Sequence, residues 1–129
     1  MIMEDCVGFE TSKLLKEKGF DECPLFHYDD CGQIWIPGGY DKTKKWHFPA
    51  PTLQMTRKWL REKHHLHIEI RITNDSISDM VNVVKYYWVM TNTETGRWCD
   101  ESTIYTVKVF DKSEEAEEDA IRHALEKYV

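Results

Sequence analysis

The sequence lacks any long apolar run: no stretch of its 129 residues approaches the roughly 20 apolar residues that a membrane-spanning helix needs. Its first ten residues, MIMEDCVGFE, are acidic and contain neither the basic segment nor the apolar stretch of a secretory signal. We therefore expect a cytoplasmic protein with no membrane partner. The ordinary apolar content and plentiful aromatic residues predict a folded chain.

The short motifs of common catalytic and nucleotide-binding sites are also missing. The sequence has no G-x-S-x-G nucleophile turn, no phosphate-binding P-loop and no G-x-G-x-x-G. Gly38 and Gly39 are adjacent, but they stand in a loop outside any strand–turn–helix context. The sequence therefore predicts no enzyme activity, no catalytic residues and no cofactor.

Metal-binding patterns are equally sparse. No C-x-x-C or H-E-x-x-H occurs, and Cys23, His27 and Cys31 do not have the spacing of a structural zinc site. His67 and Glu69 would share one face of a strand, but we interpret that region as a polar helix end beside a strand entry. We predict no metal site.

Only four cysteines are present, and they could form two disulfides or remain free. A chain of this length buries enough surface to fold without covalent links, and no export signal is visible. We therefore favour free thiols.

The most informative stretch runs from Pro51 to Thr73. Thr52 is suited to cap a helix, since its hydroxyl can accept a free backbone N–H of the first turn. The apolar residues that follow recur at helical spacing, and we place the helix end near His64 or His65. The next segment alternates between isoleucines and polar residues, which indicates a strand with one buried face.

The remaining elements are assigned from the same periodicities. Predicted helices lie at 10–18, 53–65 and from residue 111 or 113 to the end. Predicted strands form a hairpin within 25–36, followed by strands at 67–73, 81–91 and 103–110, with links at 37–50, 74–79 and 92–100. The order α-β-β-α-β-β-β-α predicts a single α+β domain over residues 1–129. We expect an antiparallel sheet with its helices packed mainly on one face.

Charge is unevenly distributed along a chain whose formal net charge is −6. Residues 52–73 carry five basic and two acidic side chains, whereas residues 111–129 carry seven acidic and three basic ones. We interpret these as two solvated helix faces of opposite sign. The basic helix is nevertheless a candidate binding surface, formed by Arg57, Lys58, Arg61, Lys63 and His64.

The order α-β-β-β-α of residues 52–129 resembles double-stranded-RNA-binding domains. That resemblance implies a basic start to the final helix, where lysines meet phosphates. Here the helix begins Ser113-Glu114-Glu115, which would repel a nucleic acid. Nucleic-acid binding is therefore an alternative, and it would have to use the basic helix instead.

The loop at 37–50 is long for a compact domain and holds several aromatic residues. Trp46 and His47 are its candidate binding residues. We favour a covering role for the loop, with a small-ligand pocket beneath it as the alternative.

Four segments together resemble a family of small proteins from prophages and mobile elements of gut bacteria whose function is unassigned. They are FETSKLLKEKGF, FHYDD, PTLQMTRKWLREKHHLHIEI and EEAEEDAIRHALEKYV. The resemblance implies a bacterial or phage intracellular setting and supplies no site residues. Our leading hypothesis is a non-catalytic interaction or accessory protein. Its partner stays open between a second copy, forming a homodimer through the apolar second face of the sheet, and another protein.

Overall fold

The computed structural model describes residues 5–36, 38–78, 81–102 and 109–129. The fold is α+β, as predicted, with three helices and two small antiparallel sheets. The chain forms two compact units, Met1–Thr56 with Arg122–Val129 and Arg57–Ile121, and the single domain stays a prediction. Within the described residues, none of the helices combines the length and the apolarity needed to cross a bilayer.

The first unit begins with helix α1 (Phe9–Glu17), close to its predicted position. Gly8 is its N-cap, and the two hydroxyl residues of its first turns, Thr11 and Ser12, are buried within the helix and do not cap it. The Ser12 hydroxyl donates instead to the carbonyl of Pro49. Gly19 follows the helix at φ 83°, a left-handed conformation that glycine adopts without strain.

The predicted N-terminal hairpin is confirmed as β1 (His27–Tyr28) and β2 (Ile34–Trp35). A third short strand, β3 (Phe48–Pro49), pairs with β1 and gives the order β2-β1-β3. β3 cannot be recognised in the sequence, because it has only two residues, one of them Pro49, and so carries no strand periodicity. The ring of Phe9 on α1 lies 5.6 Å from those of Tyr28 and Phe48, so helix and sheet share an aromatic contact.

Helix α2 (Leu53–His64) begins and ends as predicted. The Thr52 hydroxyl accepts a hydrogen bond of 3.1 Å from the backbone N–H of Met55, which satisfies one free donor of the first turn. His65 stops the helix with φ 57° in the absence of a glycine. Its side chain lies 3.2 Å from the carboxylate of Glu94.

The second unit contains a sheet of order β4-β5-β6, formed by β4 (Leu66–Ser78), β5 (Val81–Asn92) and β6 (Trp98–Glu101). Ile68 is buried, as the alternation predicts, but Ile72 on the same face is exposed, so the predicted apolar face is covered only at its first end. Trp88 of β5 is buried. Val89 is buried as well, so β5 is covered on both faces at this point. The predicted strand at 81–91 is confirmed.

Two predicted links are wrong. β4 continues through Ser78, so most of the link at 74–79 is strand, paired with β5 as far as Val81. β6 begins at Trp98, inside the segment 92–100 that composition marked as a turn. Polar residues at a sheet edge look like a turn in sequence, because only the ladder to β5 shows that they are extended.

The predicted strand at 103–110 lies largely outside the described residues, since residues 103–108 are not described. At its end, Phe110 forms an isolated bridge with Tyr86. Helix α3 (Ser113–Lys127) then follows, close to its predicted start. The apolar residues that recur at helical spacing are buried at Ala116, Ala120, Ile121, Ala124 and Leu125, whereas Tyr128, which the same spacing would bury, is 37% exposed. The Trp88 indole donates to Asp119 of α3 across 2.9 Å.

Candidate functional site

The candidate site is an aromatic surface in the first unit, formed by Trp35, Ile36 and Trp46. Their exposed fractions are 51%, 59% and 54%, although large apolar side chains of this kind are usually covered. Trp35 is the last residue of β2 and Ile36 follows it, whereas Trp46 lies in the loop before β3. Two indole rings and an aliphatic chain therefore face solvent in the unit that contains the sheet β2-β1-β3.

A buried pair of histidines lies behind this surface. The rings of His27 and His47 stack, with centroids 3.7 Å apart and an angle of 8° between their planes. The Trp35 ring is parallel to His27 at 6.4 Å, and the Trp46 ring meets His47 edge-on at 6.3 Å. Both exposed tryptophans are therefore seated against the histidine pair.

A hydrogen bond to the backbone sets the role of the Nδ1 atom in each imidazole. His27 Nδ1 lies 2.7 Å from the carbonyl oxygen of Gly38, so Nδ1 carries a proton and donates it. His47 Nδ1 lies 3.2 Å from the backbone N–H of Asp41 and must accept, so this nitrogen is unprotonated. Burial, followed by the nearby charges of His27 and Lys44, lowers the pKa of His47 below its ordinary value. His47 is thus a neutral imidazole at neutral pH.

The turn between β1 and β2 orients Trp35. The Asp29 carboxylate accepts from the backbone N–H groups of Cys31 and Gln33, at 2.9 and 3.0 Å, and from the Trp35 indole at 3.0 Å. These bonds lower the pKa of Asp29, the indole bond most of all. Asp29 therefore fixes both the turn and the ring at the surface.

Lys16 of α1 holds the loop that presents Trp46. Its ammonium donates to the carbonyl oxygens of Lys44, Lys45 and His47, at 2.9, 3.0 and 2.6 Å. The same ammonium lies 4.8 Å from the centroid of the Phe48 ring. Burial lowers the pKa of Lys16, but three carbonyl partners suit an ammonium with three donors. The loop is thereby anchored on both sides of Trp46.

Gly38 allows the loop to approach the stack closely. A Cβ at this position would lie 3.2 Å from the Trp35 Cβ and 3.3 Å from the His27 Cε1, which is tighter than ordinary contact. The neighbouring Gly39 has nothing within 4 Å of such an atom. Close packing therefore requires a glycine at position 38, whereas position 39 has room for a side chain.

The turn also brings together three groups that could contact a cation. The ligand atoms of Asp29, Asp30 and Cys31 lie within 4.8 Å of one another. Both oxygens of Asp29 already accept hydrogen bonds, and the two carboxylates raise the pKa of the Cys31 thiol, which keeps it protonated. All four cysteines of the chain are free thiols. The cluster thus belongs to the turn and offers a poor ligand set.

The predicted residues of the basic helix are divided among different environments in the second unit. Arg57 donates to the carbonyl of Ile68 and lies 3.6 Å from Glu117 of α3, so it is part of an ion pair with the acidic helix. The His64 ring packs 4.7 Å from that of Trp59. The side chains that remain exposed are Lys58, Arg61 and Lys63. A nucleic-acid surface that required an unpaired Arg57 therefore loses that residue.

The structure also separates the two candidates from the loop. Trp46 is exposed, whereas His47 is buried beneath the aromatic surface. Three residues of this site, Trp35, Ile36 and His27, were not predicted as binding residues from the sequence. The signal that could have found Trp35 and Ile36 is the apolar run Ile34-Trp35-Ile36. Neighbouring side chains of a strand point to opposite faces, so Trp35 and Ile36 cannot both be buried on one face.

A scan against models of protein families, a search of curated proteins and a search of solved structures each returned no match for this chain. Its function must therefore be inferred from the geometry described above.

Proposed function

We propose that this chain is a non-catalytic interaction protein that binds another protein through the aromatic surface of Trp35, Ile36 and Trp46. The observation that carries the proposal is that Trp35 and Trp46 are each more than half exposed while their rings lie against a buried histidine pair, Trp35 parallel to His27 and Trp46 edge-on to His47. Tryptophan contributes more to protein–protein affinity than most residues, because it buries a large area and loses few rotamers on binding.

Rigidity supports this role. Asp29 fixes the Trp35 ring through its indole N–H, and Lys16 fixes the loop on either side of Trp46. A surface that is already ordered loses little conformational entropy on binding, which favours affinity.

The non-catalytic part of the proposal is supported by the Nδ1 atoms of the two buried histidines, each of which forms a hydrogen bond with the backbone. His27 Nδ1 donates to a backbone carbonyl and His47 Nδ1 accepts from a backbone amide. These contacts give the pair a packing role. A prophage or mobile-element origin, with an intracellular setting, remains part of the proposal and is supported by the resemblance of the four segments named above.

Nucleic-acid binding is less well supported than protein binding. The ion pair between Arg57 and Glu117 neutralises one cation of the predicted basic face. The remaining exposed cations lie on a chain whose net charge is negative. A labelled RNA duplex should therefore bind no more tightly to the native chain than to a Lys58→Glu, Arg61→Glu variant.

The test is selection of peptides from a displayed random library on the native chain. Each selected peptide is then titrated against a double variant that carries Trp35→Ala and Trp46→Ala. The control is the Trp98→Ala variant, which removes an exposed indole from the second unit. We expect loss of at least tenfold in affinity for the double variant and unchanged affinity for the control. Peptides that bind all three proteins equally, or a library that yields none, would refute the proposed surface.

A further inference from the structure

Strand β4 has one edge that is unpaired among the described residues, because it lies at the end of the order β4-β5-β6 and pairs with β5 alone. Open strand edges are templates for pairing with another chain, and proteins usually cover or interrupt them.

The hydrogen-bond pattern shows which backbone groups point to the open edge. Tyr86 of β5 exchanges two bonds of 2.8 Å with Phe110, on the side away from β4. Its partner in the register, Ile72, therefore belongs to a non-hydrogen-bonded pair and directs its own N–H and C=O outward. By the alternation of an antiparallel ladder the same holds for Ile70 and Ile68, and Arg57 does reach the Ile68 carbonyl.

The side chains along this edge are complementary to themselves when the strand is reversed. Around Ile70 the sequence reads Ile68-Glu69-Ile70-Arg71-Ile72. An antiparallel pair of two such strands centred on Ile70 places Glu69 of each copy opposite Arg71 of the other. Shifting the centre by one residue, to Arg71, would instead place two arginines opposite each other.

We propose that two copies of this chain pair through the edges of β4, antiparallel and centred on Ile70, to form a six-stranded sheet across a twofold axis. The interface is isologous, so each favourable contact occurs twice. The proposal does not depend on the aromatic surface, which lies in the other unit.

Exposure on the apolar face supports a second copy as the partner. Ile72 is 65% exposed, whereas Ile68 is buried on the same face of the strand. In the proposed register Ile72 lies opposite the second copy's Ile68. The exposed Ile72 side chain of each copy is then covered by the buried end of the other copy's apolar face. Burial of such aliphatic groups is favourable at about 25 cal/mol per Å².

The opposite face supplies the charge complementarity. Within one chain the Arg71 guanidinium contacts the Glu69 carboxylate through two nitrogens, at 3.0 and 3.1 Å, and the contact lowers the pKa of Glu69. Both side chains remain accessible to a second copy. Non-hydrogen-bonded partners have Cα atoms about 4.5 Å apart, so each carboxylate can also reach the second copy's guanidinium.

Arg57 is compatible with this pairing. Its guanidinium donates to the Ile68 carbonyl, which in the proposed ladder also accepts from the second copy's Ile72 N–H. A carbonyl oxygen has two lone pairs and can accept both bonds.

The test is sedimentation velocity of the full chain, over concentrations up to the millimolar range, with two single charge reversals. Glu69→Arg presents two arginines at the edge and Arg71→Glu presents two glutamates, so each variant alone should be monomeric. Mixed in equal amounts they should form a 1:1 heterodimer, because both cross-strand pairs then become complementary. Recovery on mixing also proves that both variants are folded.

A backbone test addresses the edge itself. Ile72→Pro removes an N–H that points away from β5, so it should abolish the dimer and leave the β4–β5 ladder intact. Ile72→Val keeps the N–H and is the matched control, which should dimerise like the native chain.

A native chain that is monomeric at millimolar concentration would overturn the proposal. So would dimers of either charge variant alone, a mixture that stays monomeric, or a dimer that Ile72→Pro leaves unchanged. Dissociation by Trp35→Ala, Trp46→Ala alone would place the interface on the aromatic surface and likewise refute the edge.

Discussion

His27 and His47 stack face to face, with ring centroids 3.7 Å apart, inside the first unit. At this separation two imidazolium ions would repel each other strongly, because burial removes the water that would screen them. The arrangement therefore requires at least one neutral ring, and the hydrogen bond from the Asp41 amide selects His47 for that state.

Because the pKa of His47 is lowered in the folded chain, stability should fall at acidic pH. Below the ordinary histidine value of 6.5 the unfolded chain gains a proton that the folded chain does not take up. The contribution is fully present above that pH and is lost as the pH falls toward the lowered value. His47→Asn keeps an acceptor for the Asp41 amide without titrating. Urea unfolding between pH 7 and pH 5 should show a shallower decline for the variant, whereas equal slopes would contradict the assignment.

Substitution of the two adjacent glycines should have unequal effects. Gly38→Ala would push a methyl group against Trp35 and His27, and we expect a loss of about 1–3 kcal/mol in the free energy of unfolding. Gly39→Ala meets no atom within 4 Å and should change stability by about 0.5 kcal/mol or less. Chemical denaturation of the two variants measures both values. Similar losses at both positions would show that Gly38 is not in close contact with the stack.

Removal of the Lys16 ammonium should loosen the loop that carries Trp46. Lys16→Met keeps the aliphatic stem but deletes three hydrogen bonds to loop carbonyls, at a cost of about 1–2 kcal/mol. Hydrogen exchange should accelerate at the amides of Lys44 and His47, which bond within the loop. The matched control is Lys13→Met on the same helix, whose exposed pair with Glu10 contributes little. Unchanged exchange in the Lys16 variant would remove the anchoring role.

Local signals determined most of the secondary structure. Thr52 caps α2 as its hydroxyl chemistry predicts, and Gly19 ends α1 in the left-handed conformation that glycine favours. The alternation of isoleucines after residue 66 correctly indicated β4. These features depend on a few neighbouring residues, so the sequence is enough to read them.

The extent of the strands depended on long-range pairing. Residues 74–78 extend β4 only because β5 lies alongside, and Trp98–Glu101 becomes a strand through its ladder to β5. Polar side chains in these segments carry no burial pattern, and the backbone bonds that define them join residues far apart in sequence.

Periodicity and capping are local properties, so the fold class and the order of the helices could be read from the sequence. Contacts between distant segments place Arg57 beside Glu117 while Lys58 is exposed, and they bury His47 while Trp46 faces solvent. Adjacent residues in a helix or loop point in different directions. Which of them becomes part of a surface is set by what packs against each side, and that information lies in contacts between distant segments.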